Sequence, residues 1–477
     1  MQSQSTQLSQ SDKIDSGNEK DHYTTNPFNG EKVMGFNFIP EGTAKDYIQK
    51  SHDVYLKWKA KPLKERKEVI TRFSSLLKEK SEELAQLITD EMGKPINAAR
   101  GEIKYCASIC DYCVENADEF LKDRSAAYSK GHALITHEAQ GVIFSIQPWN
   151  FPFYQAIRYS VPNLLAGNTT VHKHAKNVWG CSLKIEELFL EAGLPEFAFK
   201  NLFVESSSVE GLIGMREIRG VTLTGGDAVG KKIAAIAGRE LKKCVMELGG
   251  NDAYIVTKNA DLKDAARVCA NGRLKNSGQV CTAAKRFIVE ESVYDDFKKH
   301  FIEEFKQKKV GDPNQSDSDV GPLAKRSLLE TLHEQVQESV QKGANVVFRS
   351  NFNLKQGHFS ELMILDNLSS GMPAYDDELF GPVASLIKVR DIDEAIEVAN
   401  SSRYGLGSGV LTEDNEEGLA IARRLDAGMS GINCVISSEA QLPFGGVKNS
   451  GFGREHEKFG FHEFVNIKTI TIRELKK

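Results

Sequence analysis

Cys281 lies in the stretch from Asn276 to Arg286, NSGQVCTAAKR, between a Ser-Gly pair typical of turns and a run of small residues, with Lys285 and Arg286 close behind. A thiol there packs no core well, which leaves two readings: a small half-buried hydrophobe, or a reactive sulfur set among basic residues. A second group, Cys106, Cys110 and Cys113, has the CxxxCxxC spacing that can hold an iron–sulfur cluster. The surrounding KYCASICDYCVENADEF is helical in pattern, however, and positions i, i+4 and i+7 share one helix face. These three cysteines therefore read as a packed stripe, and no metal site is expected.

The elements that must position such residues follow from composition and periodicity. The chain has 477 residues, 40% apolar and 27% charged, enough for a large core and about three domains of roughly 150 residues each. No apolar run approaches the roughly 18 residues that cross a bilayer. A formal charge of −5 gives no electrostatic reason to expect a nucleic-acid surface. Residues 1–21 are rich in Ser and Gln and nearly free of large apolar side chains, which predicts a flexible tail. They lack the pattern of a secretory signal, so a cytoplasmic protein is expected, its eight cysteines present as thiols.

Residues 44–121 repeat apolar positions at the helical period, as helices covering a sheet would. From 141 the pattern alternates. GVIFSI, TTVHKH, NLFVE, VTLTGG and KCVMEL read as strands, and FYQAIRYSVPNLLAG, NVWGCSLKIEELFLEAG and DAVGKKIAAIAG as helices between them, which predicts a parallel doubly wound sheet. A second α/β run spans roughly 252–450. The segments 122–140 and beyond 461 fit neither pattern, and read as strands reaching to another subunit.

Four strings stand in order: PWNFP at 148–152, MELGG at 246–250, GQVC at 278–281 and ELFGP at 378–382, with PFGGVKNSGFGRE closing the run at 443–455. Together they resemble the aldehyde dehydrogenase superfamily over essentially the whole chain after the tail. HKHAKNVWGC and FGFHEFVNIKT are most similar to bacterial succinate-semialdehyde dehydrogenases. The resemblance implies an α/β fold with a Rossmann-like cofactor domain (22–121 and 142–250) and an α/β catalytic domain (251–460). A small β oligomerisation element (122–141 and 461–477) would join subunits into a homodimer or homotetramer.

By the same resemblance Cys281 is the nucleophile that adds to an aldehyde carbonyl, the step that allows hydride to leave and a thioester to form. The small neighbours then leave room for substrate, and a helix starting after the turn would set the sulfur at the positive end of a dipole. Asn150 and the backbone N–H of Cys281 would bind the oxyanion. Glu247, at the end of an apolar strand where burial raises its pKa, would activate water. The usual GxGxxG is absent. In its place Gly225, Gly226 and Gly230 of TGGDAVG bridge a strand-to-helix turn where N–H groups can meet a pyrophosphate.

Lys173 would bind the adenosine ribose with Trp149 nearby, and Glu378 and Phe380 would lie at the nicotinamide ribose. Lys176 stands where many NAD-preferring members carry an acid, which favours NADP alongside NAD. Arg158 would take the far carboxylate of succinate semialdehyde, with Ser438 completing the pocket. Lys275 replaces a second arginine of some relatives, and Ala283 a regulatory cysteine of others. Oxidation of another small aldehyde and acyl transfer to coenzyme A stand as alternatives; Glu247 argues for hydrolysis. A silent scaffold would have no need of both nucleophile and base.

Overall fold

The computed structural model describes residues 19–473 apart from 353 and 355. The tail expected over residues 1–21 thus lies, as far as residue 18, outside the described residues. An antiparallel strand pair, His22–Thr25 with Lys32–Phe36, comes first, and four helices follow whose ends are set by local chemistry. Glu41–Trp58, Leu63–Glu79 and Ile96–Phe120 each begin directly after a proline, whose fixed φ suits a helix entry. Ser81–Met92 stops at Gly93, which is left-handed with φ 74°. Cys106, Cys110 and Cys113 lie on the buried face of Ile96–Phe120, within an apolar core shared with Phe73, Phe153 and Phe189. Burial raises all three thiol pKa values, as for a packed stripe.

The first large sheet runs in the order Gly451–Phe452, Lys243–Glu247, Ile218–Thr224, Val142–Gln147, Thr169–His174, Phe199–Asn201. The last five strands are parallel, with Pro152–Ala166, Trp179–Glu191 and Asp227–Arg239 among the connecting helices. This is the alternation read from the sequence, save that the strand expected over NLFVE already ends at Asn201. There the N–H of Val204 turns back onto the carbonyl of Leu202 (2.9 Å) and breaks the ladder. The edge strand Gly451–Phe452 comes from far downstream and runs antiparallel, setting Gly451 opposite Glu247.

The second sheet runs Asn345–Arg349, Met363–Asp366, Val383–Val389, Arg286–Glu290, Ala253–Val256, Gly407–Leu411, Met429–Ile432, parallel except at Asn345–Arg349. Asp261, Asp391 and Asp414 cap the helices that follow, each side chain accepting backbone N–H groups of the first turn. A third, antiparallel sheet joins Arg124–Tyr128 and Gly131–Ala139 to Val465–Ile472. Ile467, Ile470 and Ile472 of that last strand stand exposed. Among the described residues no helix is long and apolar enough to cross a membrane.

A buried ion pair fixes how the helix Pro152–Ala166 enters this frame. Oε1 of Glu102 accepts the N–H groups of Phe153 (2.9 Å) and Tyr154 (3.1 Å), so a carboxylate from another helix caps its first turn. Oε2 pairs with Lys94, whose Nζ lies 3.7 Å from the Phe151 ring centroid. Glu102→Ala would uncap the helix and strand a buried ammonium, at a cost of about 3–5 kcal/mol. A drop of several degrees in melting temperature is expected by scanning calorimetry, with partial recovery when Lys94→Met removes the orphaned charge.

Candidate active site

Between the helix Leu262–Leu274 and the strand Arg286–Glu290 the chain reverses through three successive left-handed residues, Asn276, Ser277 and Gly278 (φ 51°, 58° and 76°). The left-handed conformation costs a residue like serine roughly 1–2 kcal/mol. Ser277 Oγ offsets this by bonding both the N–H and the carbonyl of Gly321 at 3.0 Å. Gly278 must be glycine, since a Cβ would lie 2.3 Å from the Gly381 oxygen. The reversal delivers the turn Val280–Ala283, closed by the Ala283 N–H on the Val280 carbonyl (3.1 Å), with half-buried Cys281 inside it. The helix start expected after Cys281 is absent. Strand pairing begins at Arg286 and leaves too little chain for a helix, so no dipole points at the sulfur.

Cys281 lines a cavity of about 370 Å³ with Arg158, Lys275, Ser438, Tyr154 and Phe444. Asn150 is latched beside it: its Nδ2 donates to the Gln279 carbonyl (3.1 Å), and its own carbonyl accepts from Asn276 Nδ2 (3.0 Å). Ser438 Oγ shares hydrogen bonds with the Tyr154 hydroxyl (2.5 Å) and His456 Nε2 (2.8 Å). Burial lowers the His456 pKa to about 3, so this ring is neutral. Burial also raises the Cys281 thiol to about 12, against the pull of Lys285 and Arg158.

The two cations of the pocket differ. Arg158 is buried; it forms an ion pair with Glu455 and donates to Tyr154 Oη (3.1 Å) and Thr224 Oγ1 (3.0 Å). Lys275 is exposed at the pocket and makes no hydrogen bond or ion pair with the described residues. Glu247 ends its strand buried, and neither carboxylate oxygen has a hydrogen-bond partner among the described residues. Burial and the nearby Glu455 push its pKa well above the usual carboxylate range, while Arg158 and Arg454 pull it down.

The residues read as cofactor ligands gather mostly at the carboxyl ends of the first sheet's strands, where α/β sheets bind ligands. A Cβ on Gly226 would meet nothing within 4 Å, and one on Gly225 only a Leu223 methyl at 3.7 Å, which leaves a bare backbone cradle before the helix Asp227–Arg239. Gly230 instead packs against Leu248, where a Cβ would lie only 2.4 Å from a Leu248 methyl. Lys173 is the penultimate residue of its strand, and burial lowers its pKa. Lys176 pairs with Glu205 at 2.8 Å. Trp149 meets the Phe380 ring edge-on, 5.9 Å between centroids. Glu378 Oε1 accepts the Gly250 N–H (3.1 Å) and pairs with Lys285 (3.2 Å), leaving Oε2 without a hydrogen bond to the described residues.

This arrangement has close relatives. The model of the aldehyde dehydrogenase family matches residues 14–470. The chain belongs to that family. It is 41% identical to the succinate-semialdehyde dehydrogenase [NADP(+)] of Deinococcus radiodurans, over 95% of each chain. It is 38% identical to a succinate semialdehyde dehydrogenase [NAD(P)+] of Escherichia coli strain K12, over 93% of this chain and 96% of the relative. The crystal structure of succinic semialdehyde dehydrogenase from Streptococcus pyogenes with NADP+ superposes with a TM-score of 0.92 at 37% identity, covering 95% of this chain and all of that one.

Several side chains that build this aldehyde dehydrogenase site carry no local signal. Tyr154 meets Ser438 across 284 residues of sequence, and Glu455 and His456 come from the same distant segment. Lys285 alone was visible, as a charge close to Cys281. The unpaired state of Glu247 also sets a sign. A carboxyl whose folded pKa is raised contributes stability below its unfolded pKa and loses it as pH rises through the folded value. Glu247→Gln removes that loss. We expect it to raise the melting temperature at pH 8, by the equivalent of about 1–3 kcal/mol, and to change it far less at pH 4.5; scans at both pH values check this.

Proposed function

We propose that this aldehyde dehydrogenase oxidises succinate semialdehyde to succinate with NADP or NAD, with Cys281 as its nucleophile. The observation that carries the reading is the cavity, whose aromatic wall joins a thiol to an ammonium, Lys275, that lacks any partner among the described residues. A short aliphatic chain with an aldehyde at one end and a carboxylate at the other fits that chemistry. The relatives' names support the same substrate. Arg158 is the second cation, but Glu455 already balances it, so the weight of carboxylate recognition falls on Lys275.

In this reading the Cys281 thiol gives its proton to water, and Sγ then bonds to the aldehyde carbon as the carbonyl π pair moves onto oxygen. The resulting oxyanion meets Asn150 Nδ2 and the N–H of Cys281, donors held in place before reaction. When bound, the nicotinamide supplies a two-electron acceptor. The acyl group is left on Cys281 as a thioester. Ionised Glu247, more basic than an exposed carboxylate, takes a proton from the water that cleaves it, releasing succinate and the thiol.

The Gly225–Gly226 cradle would hold the pyrophosphate, with Gly230 letting the helix pack close, and Lys173 the adenosine ribose. Trp149, Glu378 through its open Oε2, and Phe380 would hold the nicotinamide ribose. Lys176 would exchange Glu205 for a 2′-phosphate, which suits NADP, while NAD leaves that pair intact. We assign 22–121 with 142–250 to cofactor binding, 251–460 to catalysis, and 122–141 with 461–477 to assembly. The exposed isoleucines of Val465–Ile472 support a homodimer or homotetramer, and a cytoplasmic location fits the thiol-rich composition.

Two kinetic outcomes test this. Glu247→Gln should keep a rapid burst of reduced cofactor and then turn over slowly, because acylation precedes the step that needs the base; stopped-flow absorbance that shows no burst would remove Glu247 from deacylation. Lys275→Met should lower kcat/KM for succinate semialdehyde by roughly 10- to 150-fold and spare butanal, which has no carboxylate to lose. Arg158→Ala should hurt both aldehydes, since it leaves Glu455 uncompensated beside Glu247. Equal losses on both substrates in Lys275→Met would sink the semialdehyde reading.

A further inference from the structure

Lys285 has no part in the roles above, yet its ammonium touches both halves of the site. The side chain is 2% exposed. Its Nζ donates to the carbonyls of Cys281 (2.5 Å), Val280 (3.1 Å) and Ala283 (3.4 Å), and pairs with Glu378 Oε1 (3.2 Å). Three carbonyls of one tight turn therefore converge on one ammonium, in the way a basic residue satisfies the carbonyls at a helix end. Here no helix exists. The positive end expected from a dipole is missing, and a full charge is lodged in the nucleophile's own turn instead. Arg286, the other nearby cation, is spent elsewhere, on the carbonyls of Asn251, Val398 and Ala399.

We propose that Lys285 is a positioning residue for the oxidation: it locks the Val280–Ala283 turn, supplies the charge that favours the Cys281 thiolate, and through Glu378 ties that turn to the cofactor's ribose site. The inference rests on the reading of Cys281 as nucleophile. Four charged groups face the thiol: Lys285 and Arg158 lower its pKa, and Glu378 and Glu247 raise it, burial being larger than any of them. Without Lys285, two carboxylates oppose a single guanidinium. Asp252, buried and facing the same ammonium, loses the larger of its two counter-charges as well, Arg286 being the other. The link to Glu378 has a further effect. With Oε1 held by Lys285 and Gly250, the carboxylate is turned so that Oε2 stays available to ribose hydroxyls.

The test is the alkylation rate of Cys281 by iodoacetamide, a neutral probe, on the full chain without cofactor at pH 8, followed on the Cys281 peptide by mass spectrometry. Below its pKa a thiol reacts in proportion to its thiolate fraction, so a shift of one pH unit reads as about 10-fold in rate. Lys285→Met and Lys285→Gln should slow labelling about 10-fold, and Lys285→Arg, which restores the charge, should label close to wild type. The glutamine variant keeps two N–H donors for the carbonyls, so it reads the charge alone even where methionine fails to fold. Wild-type labelling in Lys285→Gln, or labelling in Lys285→Arg as slow as in the glutamine variant, overturns the role of Lys285. Complete labelling of wild type with aldehyde oxidation retained overturns the nucleophile assignment instead, so the two failures are told apart.

Discussion

One guanidinium allows this site to keep two carboxylates out of water. Glu247 and Glu455 are both buried, burial raises the pKa of each, and Arg158 is the charge that pulls both down. Arg158 pairs with Glu455 and leaves Glu247 unpaired, so one acid is neutralised and the other stays poised. Holding Arg158 in place takes much of the fold. It lies on Pro152–Ala166, a helix with every residue buried, whose first turn is capped by Glu102. Glu455 arrives only because the chain returns to the first sheet along Gly451–Phe452.

The same region gives up stability in several places. Glu247 has no hydrogen-bond partner among the described residues, Ser277 sits in a left-handed conformation, and the Cys281 thiol is held far from its reactive form. Each is unfavourable in isolation, and each is surrounded by groups that fix it, as expected where a site is prepared before its ligands arrive. Glu102 with Lys94, and Ser277 with Gly321, are ordinary structural contacts whose effect is to hold the reactive groups still.

Much of this frame was legible in the sequence, for physical reasons. Strands buried on both faces, such as Val142–Gln147 and Ile218–Thr224, must be apolar runs, and the helices between them must show a 3.6-residue period. Cys281, Asn150 and Glu247 stood out only as members of an ordered set of strings. Their partners did not. Glu455 meets Arg158, and Tyr154 meets Ser438, through the closing of the chain on itself, which no local window contains. The run Thr282–Ala284 reads as helix by propensity, but the pairing of Arg286 with Ala253 outweighs it. Arg158 kept its place in the pocket, yet its charge is committed to Glu455, a carboxylate brought in from a distant part of the chain.

The edge strand Gly451–Phe452 also bears on how the chain is made. Glu247 belongs to the first half of the sequence, but the strand that completes its edge of the sheet, and the Glu455 that answers Arg158, lie close to the end. Asn168 likewise donates to the carbonyl of Phe464 (2.8 Å). During synthesis the first sheet therefore waits, its edge unpaired and its buried guanidinium without a counter-charge, until nearly the whole chain has left the ribosome. A truncated product that stops before Gly451 would carry every residue of the nucleophile turn beside a first sheet that had never closed.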